Sequence, residues 1–428
     1  MKDFKGIVSE IRKKLNTGIV RLMGANVLNK VITMMSNMVI TRLLSVNEFG
    51  IWSYVLNIYS YLELLSGLGL LSGAFQFGAE HHGREDEFNY YKYCLKYGML
   101  IDTIIVGIFL LGSGFAHFSI EGSGFYIQIY APLIILTYGF NLLLTIFRCE
   151  GRITEYARIL NINTVLIAIG TCVGALVGVQ GVVVGRYLAY IIVVIQILFC
   201  AKNEIKKITY ATGISKIQSK ELWKYSIFTG ISTVFNQLIY LLDVSMVAAL
   251  MTDAREVAIY KCATLIPNAL AFIPNSIIIA VLPTIIHNRN EKSWLKTYIK
   301  NLFFYTGLLN FLISGLLCIF APLVIIIIAG ENYLASVPIL RILLLDFFIS
   351  GTFRSLSTNI LAAMKRVSYN LFLSIVSGIC NIIFDYILVK RMGAVGAAYA
   401  TLGVVVVASI LSFGYLMVIM RRKNYGDY

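Results

Sequence analysis

Four sets of polar residues recur at helical spacing inside apolar stretches. Asn26, Lys30, Thr33 and Asn37 follow one another at steps of four, three and four, so an α-helix carries them as one stripe. Trp52, Tyr59, Glu63 and Ser66 share a face in the same way, as do Thr229, Asn236, Tyr240 and Asp243, while Asp346, Ser350 and Arg354 fall within about two turns. An ionisable group inside an apolar span costs roughly 2.5 to 3.5 kcal/mol or more, so each stripe is expected to face a wet cavity or a partner. A lining of Lys30 and Arg354 with Asn26, Asn37, Asn236 and Tyr240 suits an anionic, sugar-bearing headgroup, because cations pair with phosphate and amides meet sugar hydroxyls. Glu63 and Asp243 are candidates for carrying a coupling proton or sodium ion. The competing expectation is that Lys30, Glu63, Asp243 and Arg354 are structural pairs that hold helices together. Asp102, Arg186 and Asp385 lie closer to span ends, at depths where a side chain reaches the headgroups.

Other chemistries have weaker support. The segment Glu80-His81-His82-Gly83-Arg84-Glu85-Asp86-Glu87 resembles a metal cluster in composition only, and without helical ligand spacing it reads as a solvated cytoplasmic loop. The seven cysteines show no C-x-x-C spacing and fall mostly within apolar runs, as small apolar residues do. No nucleophile elbow, Walker A loop or dinucleotide fingerprint is present. The expectation is therefore no enzyme, no catalytic residue, no metal and no cofactor, with energy drawn from an ion gradient or the substrate gradient.

The elements that must position these stripes are membrane spans. A chain of 428 residues with 58% hydrophobic and only 14% charged content lacks the polar rim that a soluble fold of this size displays. About twelve apolar runs, most near the ~20 residues that cross a bilayer core, read as 18–41, 49–71, 97–116, 125–147, 159–178, 181–201, 225–250, 257–281, 299–320, 338–362, 370–389 and 396–420. The net charge of +14 would raise nucleic acid as a partner, but its placement says otherwise. Most Lys and Arg lie in alternate gaps and both tails, and only Lys30, Arg42, Arg186, Arg255, Lys261, Arg341, Arg354, Lys390 and Arg391 lie elsewhere. The positive-inside rule then puts both termini in the cytoplasm, and the basic side also suits anionic lipid headgroups. Residues 1–17 place Phe4, Ile7, Val8, Ile11 and Leu15 on one stripe, as in an interfacial helix, and carry no cleavable signal.

The basic stretch 202–224 separates two six-span halves, 18–201 and 225–420, with a short tail at 421–428. Met38-Val39 and Glu48-Phe49-Gly50-Ile51-Trp52 realign with Met246-Val247 and Glu256-Val257-Ala258-Ile259-Tyr260 at an offset of 208. Gly178 to Val182 realigns with Gly393 to Ala397 at 215, and Gly151 to Thr154 with Lys365 to Ser368 at 214. Three matches in one order indicate an internal repeat, with the substrate site expected between the halves. The repeat pairs the Gly67 and Gly69 region of the second span with the eighth span, which carries Pro267 and Pro274. Both read either as bent, site-lining or moving helices or as ordinary kinks that aid packing, since Gly and Pro are frequent in membrane helices. Gly170, Gly174 and Gly178 instead indicate close helix packing.

The run from Thr41 to Tyr54, TRLLSVNEFGIWSY, the run from Gly330 to Arg341, GENYLASVPILR, and the Gly67-Leu68-Gly69 turn resemble signatures of Wzx-type O-antigen flippases. These belong to the multidrug/oligosaccharidyl-lipid/polysaccharide (MOP) exporter superfamily. The resemblance covers essentially the whole chain and implies a MATE-like, all-α polytopic fold in the bacterial inner membrane. It also implies alternating-access flipping of an undecaprenyl-pyrophosphate-linked oligosaccharide, with Lys30 and Arg354 as candidates for the family's cationic cavity. Implied partners are that lipid-linked substrate, membrane lipids and other polysaccharide-assembly membrane proteins. The alternatives are an ion-coupled drug/cation antiporter of the same superfamily and, ranked lower, a polysaccharide polymerase.

Overall fold

The apolar runs become helices because a bilayer offers backbone groups no water, and only a helix satisfies them within one segment. The computed structural model describes residues 18–84, 86–115, 117–287, 291–364 and 366–421. Every regular element among them is helical. The chain forms two compact units, 1–241 and 242–428.

Unit 1 contains α1 (Gly18–Leu43), α2 (Val46–Leu65), a tight turn at Ser66–Gly69, α3 (Leu70–Glu80), α4 (Glu87–Ser113), α5 (Ser123–Tyr130), α6 (Leu133–Cys149), α7 (Ile153–Ala175), α8 (Val179–Cys200) and α9 (Lys202–Tyr210). The long helix α10 (Lys216–Met251) crosses the boundary. Unit 2 continues with α11 (Ala254–Leu270), α12 (Phe272–His287), α13 (Lys292–Ile319), α14 (Ala321–Ala329), α15 (Val337–Ile349), a π-helical turn at Ser350–Arg354, α16 (Ser355–Ala363) and α17 (Val367–Arg421), which breaks at Gly393. Nine stretches of the described residues are long and apolar enough to cross a membrane. The last, Phe372–Met420, contains the break at Gly393. The chain is thus an all-α, multi-pass membrane protein. The stretch 1–17 and residues 422–428 lie outside the described residues.

In unit 1 the helix pair α7 and α8 approaches at backbone distance. A Cβ on Gly170 would strike the Gly185 carbonyl, and one on Gly174 the Gly181 carbonyl, so these two serve close packing as their spacing implies, whereas Gly178 lies beyond α7 and faces Glu48. Other faces of the pair carry Ile169, Val173, Leu188 and Phe199, all exposed, as lipid-facing side chains must be. Gly174→Leu is expected to lower stability by about 3 kcal/mol, because the obstacle is backbone and cannot rotate away. Thermal unfolding in detergent checks this, and an unchanged melting temperature would show that the pair is not close-packed.

Both units show the internal repeat in matching contacts. Ser45 caps α2 by accepting from the Glu48 N–H at 3.2 Å, while Glu48 accepts from the Ser45 N–H at 3.0 Å, a capping box. The other Glu48 oxygen stands against Gly178, at φ 91°. In unit 2 Asp253 caps α11, and Glu256 accepts from the Ala394 N–H at 3.1 Å beside Gly393, at φ 58°. In each unit a glutamate in the first turn of one span thus lies against the glycine that turns the chain between two others. The bends recur as well: the second span breaks at Ser66–Gly69, and the eighth breaks at Ala271, between Pro267 in the last turns of α11 and Pro274 in the first turn of α12.

Candidate functional site

A buried polar cluster lies in unit 2 around Asp243. Tyr260 donates to its Oδ2 at 2.7 Å, Thr401 donates to the same oxygen at 2.8 Å, and the Asn381 amide donates to Oδ1 at 3.0 Å. Asn381 and Thr401 are twenty residues apart, which would be about 30 Å along one straight helix. They meet at one carboxylate because α17 folds back at Gly393. Asp385, one turn after Asn381 on the same face, is fully buried beside Asp243. Apart from the neighbouring Asp243 carboxylate, no hydrogen-bonding group meets either Asp385 oxygen, and none donates to the Asn381 Oδ1. Lys261 and Asp346 also lie within electrostatic range of Asp243.

Three orphaned acceptor oxygens beside a second carboxylate are costly in a dry interior unless something positive reaches them. The donor set is all hard oxygen, which suits a sodium ion or a proton shared between the two carboxylates, and it lacks the nitrogen and sulfur ligands that zinc or copper prefers. No group of three His, Cys, Asp or Glu side chains is assembled among the described residues.

Unit 1 places a cation at the repeat-equivalent position. At an offset of 215 Thr401 corresponds to Arg186, and at 208 Tyr260 corresponds to Trp52. The Arg186 guanidinium sits 5.9 Å from the Trp52 ring centroid and 5.7 Å from that of Tyr130, with Tyr59 packed edge-on against Tyr130 at 4.6 Å. Aromatic faces stabilise a desolvated guanidinium. The two units thus carry opposite charge at one repeated location, a guanidinium in the first and a pair of carboxylates in the second.

Asp102 is also a buried connector. It is fully enclosed and accepts from the Ser66 hydroxyl and the Gly67 N–H, each at 2.7 Å. It thereby ties α4 to the break in the second span. Asp102 and Asp385, both near span ends in the hydropathy pattern, are fully buried, and Arg186, which the repeat aligns with Thr401, is half-buried among aromatic rings.

The other expected site residues are spread out. Asn26 and Lys30 are exposed on α1, and Asn37 is half-buried. The buried face of α1 carries Ser36, whose hydroxyl lies 3.3 Å from that of Thr171. Glu63 is exposed and within electrostatic range of Arg186. Arg354 is half-buried at the end of the π turn, in electrostatic range of Asp346, and π turns of this kind often mark functional positions. Asn236 and Tyr240 lie on α10, with side chains outside the described residues. Of the ion-coupling candidates, Asp243 stands in an organised oxygen site, and Asn381, Asp385, Thr401 and Tyr260 join it. In the segment from Glu80 to Glu87, Glu87 is buried and accepts from the Gly83 N–H at 2.9 Å.

A family profile described as "Polysaccharide biosynthesis protein" matches residues 15–289. The chain belongs to this family. Among solved structures, it resembles an inward-facing multidrug resistance MATE family transporter of the MOP superfamily, with a TM-score of 0.76 at 14% identity over 95% of this chain and 98% of the other. It also resembles the lipid II flippase MurJ in an inward closed conformation, with a TM-score of 0.74 at 17% identity over 94% and 88%. A third likeness, to a MOP superfamily transporter from Pyrococcus furiosus, has a TM-score of 0.62 at 16% identity over 95% and 96%. These establish the MOP fold for this member of the polysaccharide biosynthesis family. No curated protein sequence matches the chain.

Proposed function

We propose that this protein is a cation-coupled flippase that carries an undecaprenyl-pyrophosphate-linked oligosaccharide from the cytoplasmic to the periplasmic leaflet of a bacterial inner membrane. Alternating access moves the substrate, and both termini lie in the cytoplasm. The observation that carries the reading is the buried oxygen site at Asp243 and Asp385. It gives a membrane protein of a polysaccharide family a place to load a driving ion. Either a proton or sodium would balance the paired carboxylates, which links the energy of a gradient to the fold of unit 2. Lys30 and Arg354 remain the candidates for the substrate's pyrophosphate, and Asn26, Asn37, Asn236 and Tyr240 for its sugars. Membrane lipids and other polysaccharide-assembly proteins are the expected neighbours.

The same acidic site also suits a drug/cation antiporter, so the test must follow the lipid. In cells lacking the gene, complete single oligosaccharide units are expected to accumulate on the cytoplasmic face, and restoring the gene is expected to clear them. Units that reach the periplasmic face but fail to join into chains would indicate a polymerase and overturn the reading. Unchanged distribution with altered drug sensitivity would favour the antiporter.

A further inference from the structure

One feature of unit 1 is outside the transport reading: the short helix α9 and the groove beside it. Ala201, Glu204 and Ile208 are buried, while Lys202, Asn203, Lys206, Lys207 and Tyr210 are exposed, so the helix lies with one face on the protein. It is fixed there from three sides. Arg152 reaches Glu204. Lys92 donates to the Thr209 carbonyl at 3.1 Å and the Ala211 carbonyl at 2.6 Å, closing the helix C-terminus. Asn89 accepts from the Thr212 N–H at 2.9 Å and the Gly213 N–H at 3.3 Å. Between α9 and the start of α4 lies an open groove of about 740 Å³, lined by Phe88, Asn203, Lys206, Lys207 and Tyr210, with Glu204 at its base. Lys207 stands 4.8 Å from the Phe88 ring centroid.

We propose that this groove binds the phosphate of an anionic phospholipid. Charge is the first argument. Lysines 206 and 207 line the groove, with Lys202 on the same helix, against one acidic lining residue, Glu204, which Arg152 engages together with Glu150 and Glu155. Depth is the second. The helix α9 follows directly on the span α8, whose last residues Leu198 and Phe199 are exposed apolar side chains, which puts its first turn at the level of the headgroups. The third is the mixture of side chains. Tyr210 is 76% exposed, and Ile217 is 75% exposed between Lys216 and Lys220. A large aromatic and a large aliphatic side chain, each bare among lysines, fit acyl chains below a phosphate better than they fit an acidic protein or a nucleic acid. Because α9 is anchored to α4 through Lys92 and Asn89, and to the stretch between α6 and α7 through Arg152, a lipid held there braces three segments of unit 1.

The test uses the full-length protein in neutral detergent and reads lipid retention by native mass spectrometry alongside the melting temperature. Dioctanoyl phosphatidylglycerol, dioctanoyl phosphatidylcholine and inorganic phosphate are added separately. Phosphatidylglycerol is expected to bind and raise the melting temperature, with little effect of the other two. The combined variant Lys202→Gln, Lys206→Gln and Lys207→Gln is expected to bind phosphatidylglycerol about tenfold or more weakly. Lys206→Arg with Lys207→Arg is expected to keep binding, and so is a control, Lys296→Gln with Lys300→Gln and Lys390→Gln, that removes the same three charges from unit 2. Undiminished binding by the triple glutamine variant would overturn the proposal, as would equal loss in the unit 2 control, which would reduce the effect to overall charge. A shift produced by inorganic phosphate alone would make this a free-phosphate site and overturn the lipid assignment. All these outcomes are independent of whether the protein flips an oligosaccharide.

Discussion

Asp243→Asn is expected to abolish cation-driven translocation while leaving the protein folded in the membrane. Its carboxylate collects three hydrogen bonds, from Tyr260, Thr401 and Asn381. An asparagine can keep most of them: its carbonyl can take the two hydroxyl donors, and its amide can donate to the Asn381 Oδ1, which has no partner. What it cannot replace is the charge. Removing one member of a buried charge pair costs about 3 kcal/mol or more, which is roughly a hundredfold in cation affinity. Asp385→Asn should lose cation binding too, but with the opposite effect on the empty protein. Both Asp385 oxygens are unpartnered beside a second carboxylate, so neutralising that group removes a repulsion and is expected to raise the melting temperature in cation-poor buffer. The measurement is the melting temperature in sodium against choline at constant ionic strength, and across a pH series. The wild type should be stabilised by sodium, by protons or by both, and each variant should lose that response. If both variants responded as the wild type does, the cluster would be a structural tie and the coupling assignment would fall.

The spans were legible in the sequence because twenty apolar residues in a row have few other uses, and the α7 and α8 glycine ladder was legible because four-residue spacing marks one helix face. The repeat was legible for a chemical reason that the structure supplies: in both units a first-turn glutamate, Glu48 or Glu256, lies against a positive-φ glycine, Gly178 or Gly393. The oxygen site was only half visible. Asp243 stood out on its stripe, but its partners Asn381 and Thr401 are separated from it by 138 and 158 positions, and no periodicity within one helix reports contacts between helices. Asp385 and Arg186 were discounted for lying near the ends of apolar runs. Hydropathy measures depth along a span, whereas burial is set by which neighbours surround it, and Gly393 brings those neighbours in by folding one helix back on itself.

Asp102→Leu is expected to cost the protein several kcal/mol and to impair transport. The second span turns at Gly67, Leu68 and Gly69 with three consecutive positive φ values of 55°, 45° and 82°. For a leucine such a conformation costs roughly 1 to 2 kcal/mol, and in a membrane the opened helix also frees backbone donors that lipid cannot satisfy. Asp102 takes the Gly67 N–H directly and the Ser66 hydroxyl beside it, so a leucine there would leave a buried N–H unpaired as well as remove the tie between α4 and the turn. The turn has little room to relax by moving: a Cβ on Gly69 would strike the Ser226 carbonyl, and one on Gly67 the Tyr138 ring. Asp102→Asn keeps an oxygen for the Gly67 N–H and requires only that Ser66 accept from the new amide, so its loss should be about 1 kcal/mol. A fall in melting temperature that is large for leucine and small for asparagine, with transport following the same order, would identify Asp102 as the staple of the bent span. Equal, small losses in both would mean that the turn is held by Tyr138 and the α10 backbone alone.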